Sequence, residues 1–186
     1  MNLRARWQMK RAHWLGVFGR KDAALAALES LLKTDPTYPG LHASMGYFYA
    51  EQKQHRSAVE HFRAAIEAEP RKAALHFDLG FVYQQLNEHD AALRALRDAV
   101  DCDVKLDRAW YGMGLSLRAL DRPAEAVAAF ERAAELQPMN GFAWYELGIA
   151  YHALGKPHEL DRVLTTLSGF DPKLANRLAK ATSRRA

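Results

Sequence analysis

The stretch DRAWYGMGLSLRALDRPAEAVAAFERAAELQPMN, residues 107–140, decides how the whole chain is read. It carries Trp110, Met113-Gly114 and Leu117, then a turn former at Asp121, then Ala126, Phe130 and Ala133, and it closes on Pro138. Apolar residues at helical spacing before and after Asp121 predict two amphipathic helices joined by a short turn.

The same landmarks recur outward in both directions. Glycines stand at Gly46, Gly80, Gly114 and Gly148, each 34 residues apart. Ala24, Ala58, Ala92 and Ala126 keep that period, as do Leu28, Phe62, Leu96, Phe130 and Leu164. Pro36, Pro70, Pro138 and Pro172 share one phase, with Val104 in the remaining slot, and Tyr49, Tyr83 and Tyr151 share another with Leu15 and Leu117. A fixed period of this length is the mark of a repeat architecture. The repeats run 5–38, 39–72, 73–106, 107–140 and 141–171, and a closing helix follows over 172–183, so residues 1–186 form a single array.

Each repeat reads as a helical pair. In the third, the first helix is expected near Ala74–Leu86 and the second near Asp90–Cys102. Gly19, Lys53, Asn87, Asp121 and Gly155 fall between the helices, and Gly or Asn there accepts a left-handed cap. Gly80 and Ala92 are small enough to let the two helices meet closely, and Gly80→Leu is expected to overpack that contact. A single pair cannot bury its apolar face, so stability comes from stacking on neighbours. At the end, Asp171-Pro172 reads as an N-cap followed by Pro at the first helical position, and Leu174, Leu178 and Ala179 supply one apolar face among Lys173, Asn176, Arg177 and Lys180.

These residues resemble the tetratricopeptide repeat (TPR) pattern of Trp, Leu-Gly, Tyr, Ala, Phe, Ala and Pro at set positions. Trp110, Met113-Gly114, Ala126, Phe130, Ala133 and Pro138 match in the fourth repeat, and Trp144, Leu147-Gly148, Tyr151 and Pro172 in the fifth. The resemblance covers nearly the whole chain. It implies an all-α, right-handed solenoid of five helix-turn-helix repeats with a C-terminal capping helix.

Composition agrees with a folded, non-membrane chain. Of 186 residues, 49% are hydrophobic and 26% charged. No apolar run approaches the ~20 residues of a membrane span, and a lone cysteine, Cys102, excludes a disulfide framework. The formal charge of +4 hides a division. Residues 1–21 carry six basic residues and no acid, residues 173–186 carry five and no acid, and residues 22–172 have a net charge of −7. An acidic body opposes a phosphate-tracking groove, so nucleic acid is not the expected partner.

Catalytic constellations are missing. The sequence holds no glycine-rich phosphate loop, no Gly-x-Ser-x-Gly elbow and no His-Glu-x-x-His pair. His42 and His76 occupy the slot of Trp110 and Trp144, which predicts packing rather than metal ligation. Cys102 lies between Asp101 and Asp103, which disfavour a thiolate. The expectation is a protein that is not an enzyme and needs no cofactor or metal.

The resemblance implies a concave groove lined by the first helix of each pair. The family's ligand-facing positions place Tyr47, Phe77, Phe81, Gln84, Arg108, Tyr111, Leu115, Arg118, Phe142, Tyr145, Ile149 and His152 there. Aromatic surface edged by Arg and Gln suits a peptide segment of a protein partner. The Lys/Asn clamp with which some TPR proteins grip chaperone tails is not matched: Met9, His13 and Ser44 stand in its places, and Arg108 alone agrees by charge.

The first repeat departs from the pattern. Trp7 and Trp14 occupy positions that hold Leu41/Phe48, Leu75/Val82, Ala109/Ser116 and Ala143/Ala150 later, where they face the preceding repeat. No preceding repeat exists in this sequence. Leu3, Trp7, Trp14 and Phe18 then form an apolar stripe beside Arg4, Arg6, Lys10 and Arg11. Three arrangements compete: self-association into a homo-oligomer, docking on a partner or an anionic membrane surface, and rotation of the first helix to bury both indoles. The resulting reading is a cytoplasmic interaction scaffold that holds a partner segment in its groove. The alternative is an assembly factor docked on a membrane or large complex through its basic, Trp-bearing first helix.

Overall fold

A computed structural model describes residues 3–183. Eleven helices follow one another among the described residues. The five pairs are α1 (Leu3–Val17) with α2 (Lys21–Thr34), α3 (Leu41–Glu51) with α4 (His55–Ala68), α5 (Ala73–Gln85) with α6 (His89–Cys102), α7 (Asp107–Ala119) with α8 (Pro123–Leu136), and α9 (Gly141–Ala153) with α10 (Pro157–Phe170). The last helix, α11 (Pro172–Ser183), closes the stack. Each pair packs on the next, giving the right-handed solenoid of five helix-turn-helix repeats with a C-terminal capping helix that the periodicity predicts.

The turns inside the pairs are one structure repeated five times. Gly19, Lys53, Asn87, Asp121 and Gly155 have φ between 56° and 74°. The amide of the following residue donates to a carbonyl five residues back: Arg20 to Leu15, Gln54 to Tyr49, Glu88 to Tyr83, Arg122 to Leu117 and Lys156 to Tyr151, at 2.8–3.0 Å. This closes the orphan carbonyls of the first helix and reverses the chain in three residues. Lys53 adopts the left-handed conformation although it is no turn former, because both helices it joins are held by packing.

Glycine notches seat the second helix of each central pair against the first. A Cβ on Gly46 would lie 2.8 Å from Phe62, one on Gly80 2.6 Å from Leu96, and one on Gly114 2.4 Å from Phe130. Phe62, Leu96 and Phe130 are fully buried as a result. Between repeats, the slot of Trp110 anchors each first helix to the incoming loop. Trp110 Nε1 donates to Val104 O and Trp144 Nε1 to Pro138 O, while His76 Nε2 lies against Pro70 O, all at 2.8 Å. His42 departs from this rule, since its Nδ1 meets His61 Nδ1 on α4 at 2.9 Å.

Helix α11 differs from the sequence reading in one residue of its apolar face. Leu174, Ala175, Leu178 and Thr182 are buried, and Ala179 is exposed. Asp171 caps the helix, its carboxylate accepting from Leu174 N at 3.0 Å. The face is rotated because Leu178 leaves the path of a regular next repeat. It enters the notch at Gly148, where a Cβ would lie 2.4 Å from its Cδ2. Leu164, the counterpart of Phe130, stays only half-buried in α10. The capping helix is thereby drawn in over α9.

Candidate functional site

The first helices of the pairs line the inner face. Here Tyr47 from α3, Phe77 and Phe81 from α5 and Arg108 from α7 converge on one cleft of about 410 Å³. Tyr47 stands edge-on to Phe62, with ring centroids 5.4 Å apart, and its hydroxyl donates to the Asp78 carboxylate. Burial, and then the hydrogen bond to Asp78, push the Tyr47 phenol well above the ordinary tyrosine range. Burial also raises the Asp78 carboxyl, against the opposing pull of Tyr47 and Arg108. The Arg108 guanidinium sits 4.8 Å from the centre of the Phe77 ring. Tyr47 and Phe81 keep about half their surface exposed, at 49% and 48%, so both offer open aromatic area beside a half-buried acid and a stacked cation.

A second cluster lies toward the C-terminal end of the same face. Arg118 Nε is 3.3 Å from Glu146 Oε2, and Tyr111 leans on Phe130 at 5.8 Å. Burial raises the Glu146 carboxyl against Arg118 and Arg177, and raises the Tyr111 phenol with the help of Glu146. Tyr145 belongs to a separate cleft of about 420 Å³, where Arg177 of α11 lies 5.4 Å from its ring.

The remaining expected groove residues divide. Gln84 is engaged in the scaffold: its Nε2 donates to Gly112 O and to Ser116 Oγ, both at 2.8 Å. Leu115, Ile149 and His152 are half-buried and line neither inner cleft. Phe142 is 64% exposed at the start of α9, away from both. Sequence reasoning missed Asp78 and Glu146. Both sit at the same repeat position, two repeats apart, one residue beyond an aromatic that was singled out (Phe77 and Tyr145). That shared phase was the available signal. Arg177 gave no such signal, because α11 lies outside the repeat grid.

The N-terminal face is open. Trp7 and Trp14 are 60% and 58% exposed, while Leu41, Leu75, Val82, Ala109, Ser116, Ala143 and Ala150 at the same repeat positions are buried. Rotation of α1 to bury the indoles is therefore not what the chain adopts. Ala5 and Ala12 are the buried residues of α1. Leu3 and Phe18 are exposed as well, Phe18 stacks on Trp14 at 6.1 Å, and Arg11 lies 5.5 Å from the Trp7 ring. Arg4 is exposed on the same helix.

Among the described residues, no group of three or more His, Cys, Asp or Glu side chains is placed to hold a metal, and no helix is long and apolar enough to cross a membrane.

Stacked helical pairs with a continuous inner face define a solenoid of the kind that serves as a protein–protein interaction scaffold. Tetratricopeptide repeat models match residues 49–114 and 111–159, and the chain belongs to the tetratricopeptide repeat family. Solved structures with the same fold include MamA, at 22% identity and TM-score 0.87 over 95% of this chain and 96% of that one. MamA 41-end from Desulfovibrio magneticus RS-1 is 19% identical, with TM-score 0.82 over 92% and 99% of the two chains. YrrB, described as a TPR protein with an unusual peptide-binding site, is 23% identical, with TM-score 0.81 over 93% and 90%. No curated protein sequence matches the chain.

Proposed function

We propose that the protein is a non-catalytic adaptor that holds a peptide segment of a protein partner in its inner groove. The observation that carries this reading is the cleft where Tyr47, Phe77, Phe81 and Arg108 meet. Rigid aromatic surface beside one cation gives contact area at low entropic cost. The peptide-binding site named for YrrB, which shares the fold, adds support. The test is to select peptides on the wild-type chain from a random display library and to measure their affinity for Phe77→Ala/Phe81→Ala. A loss of tenfold or more with unchanged helicity is expected. Selected peptides that bind the variant equally well would end the proposal.

A second reading concerns α1. Trp7 and Trp14 remain exposed where later repeats bury the equivalent residues, Phe48 partly and the others fully. The face is proposed to self-associate with a second copy of the chain. Arg4, Arg6, Lys10 and Arg11 would then meet their equivalents, so the contact should tighten as salt screens them. Docking on an anionic membrane should weaken with salt instead. Light scattering across a salt series, on wild type and Trp7→Ser/Trp14→Ser, separates the two. A wild type that stays monomeric at all salt concentrations removes the self-association reading.

A further inference from the structure

The capping helix brings a row of cations onto the inner face. Lys173, Asn176, Arg177 and Lys180 of α11, with Tyr145 of α9, line a cleft that contains no carboxylate. We propose that this cleft takes an acidic peptide stretch, the end of a partner segment that continues along the groove; the assignment rests on the groove reading above.

These cations are set apart by gathering in one cleft without a carboxylate, whereas several others in the array are neutralised by a neighbouring acid. Lys21 pairs with Glu51, Arg56 with Glu88, Arg118 with Glu146 and Arg122 with Glu125. Among the described residues, no carboxylate lies within ion-pair distance of Lys173, Arg177 or Lys180. Glu146, next to Tyr145, is engaged by Arg118 at 3.3 Å and feels Arg177 only from beyond ion-pair distance. The Tyr145 hydroxyl is likewise uncommitted to any acceptor among the described residues, which leaves it free to donate to an incoming oxygen.

Spacing selects the ligand class. Residues 173, 177 and 180 follow one face of a helix at i, i+4 and i+7. At about 1.5 Å rise per residue the row is roughly 10 Å long. A single phosphate is too short to engage both ends. An extended chain, rising about 3.3 Å per residue, sets alternate side chains about 7 Å apart and so lays two or three carboxylates along the row. The Leu178 contact at Gly148 gives the row its place, because it pulls α11 over α9 instead of along the stack axis.

The experiment uses fluorescein-labelled hexaglutamate, followed by anisotropy with the full chain. Binding that weakens with added salt is expected, with at least a tenfold loss in Lys173→Glu/Lys180→Glu and none in Phe77→Ala/Phe81→Ala. Hexaglutamine should not bind. Both lysines are exposed, and Lys173→Gln/Lys180→Gln provides a milder variant that should lose affinity in the same direction. The proposal is overturned by absence of hexaglutamate binding, by equal affinity in both lysine variants, or by a loss that follows Arg6→Glu/Lys10→Glu on α1 instead. Phosphatidylserine vesicles that displace the peptide through Lys173 and Lys180 would overturn it in favour of a membrane. Failure of the groove reading is registered separately, by display-selected peptides that ignore Phe77 and Phe81.

Discussion

Leu178 of the capping helix fills the notch at Gly148, so tightly that a Cβ there would approach its Cδ2 to 2.4 Å. In the fourth repeat the Phe130 ring fills the equivalent notch at Gly114, also at 2.4 Å. The two contacts are equally close, but their partners differ in freedom. Both are fully buried, but the Leu178 contact is made by the far end of a flexible side chain on the last helix, whereas the Phe130 ring is rigid and enclosed between repeats. Gly114→Ala is therefore expected to destabilise by about 1–3 kcal/mol. Gly148→Ala should cost less, and its cost should fall mainly on the docking of α11. Urea midpoints, with hydrogen exchange over 172–183, check both.

Gln84 links α5 to α7 through the Gly112 carbonyl and the Ser116 hydroxyl, and Ser116 is fully buried. Removing the amide leaves a buried hydroxyl without its donor. Gln84→Ala is expected to cost about 1–3 kcal/mol, more than an exposed groove residue would. A stability loss below about 0.5 kcal/mol in urea unfolding would mean that water replaces the amide.

His61 lies 2.9 Å from His42, nitrogen to nitrogen, and under the Tyr49 ring at 5.2 Å. Burial, and then the His42 charge, hold His61 below the ordinary histidine value, against Glu60 and Glu29, which pull it up. The native state thus takes up this proton less readily than the unfolded chain. Its contribution to stability is complete above the unfolded value of about 6.5, and it is lost as pH falls through the lower native value. Urea midpoints should drop as pH goes from about 7 to 5, and His61→Gln should flatten that decline.

Glu146 titrates with the opposite sign. Its Oε2 is buried and accepts no hydrogen bond, although Arg118 stands at 3.3 Å. Burial raises the carboxyl, so the native state holds this proton more readily than the unfolded chain. Stability from this site therefore declines as pH rises from the unfolded carboxyl value through the higher native one. Glu146→Gln should remove the decline, and Arg118→Ala should steepen it by taking away a compensating charge. Unfolding measured between about pH 4 and 7 reads both.

Much of the array was legible because a repeat copies one packing solution along the chain. The period of 34 residues brought the small residues Gly80 and Ala92 to one helix crossing, where Leu96 fills the notch, and it located the five turns inside the pairs, though not the left-handed Gly40 between pairs. The resemblance to the tetratricopeptide repeat implied that Tyr47, Phe77, Phe81 and Arg108 face one way, and they share one cleft. Gln84 was assigned to the same face, but position alone does not tell whether an amide faces solvent or the Gly112 carbonyl of the next repeat.

The exposed indoles show what a grid can and cannot settle. Their phase made Trp7 and Trp14 equivalent to Leu75 and Val82, which stack on the preceding repeat. Whether α1 rotated to bury them depended on α2. It offers Ala24, Ala27 and Leu28 to the small face of α1 at Ala5 and Ala12, leaving no room for two large rings.

The sequence by itself therefore determined the helical pairs and the turns inside them, because local periodicity and neighbour packing repeat. Tertiary structure alone decided the two ends. There, among the described residues, the regular stacking on a further repeat stops, so the direction taken by α1 and α11 follows from which side chain fits which notch. Leu178 in the notch of Gly148, with no counterpart in the period, turns Lys173, Arg177 and Lys180 toward Tyr145.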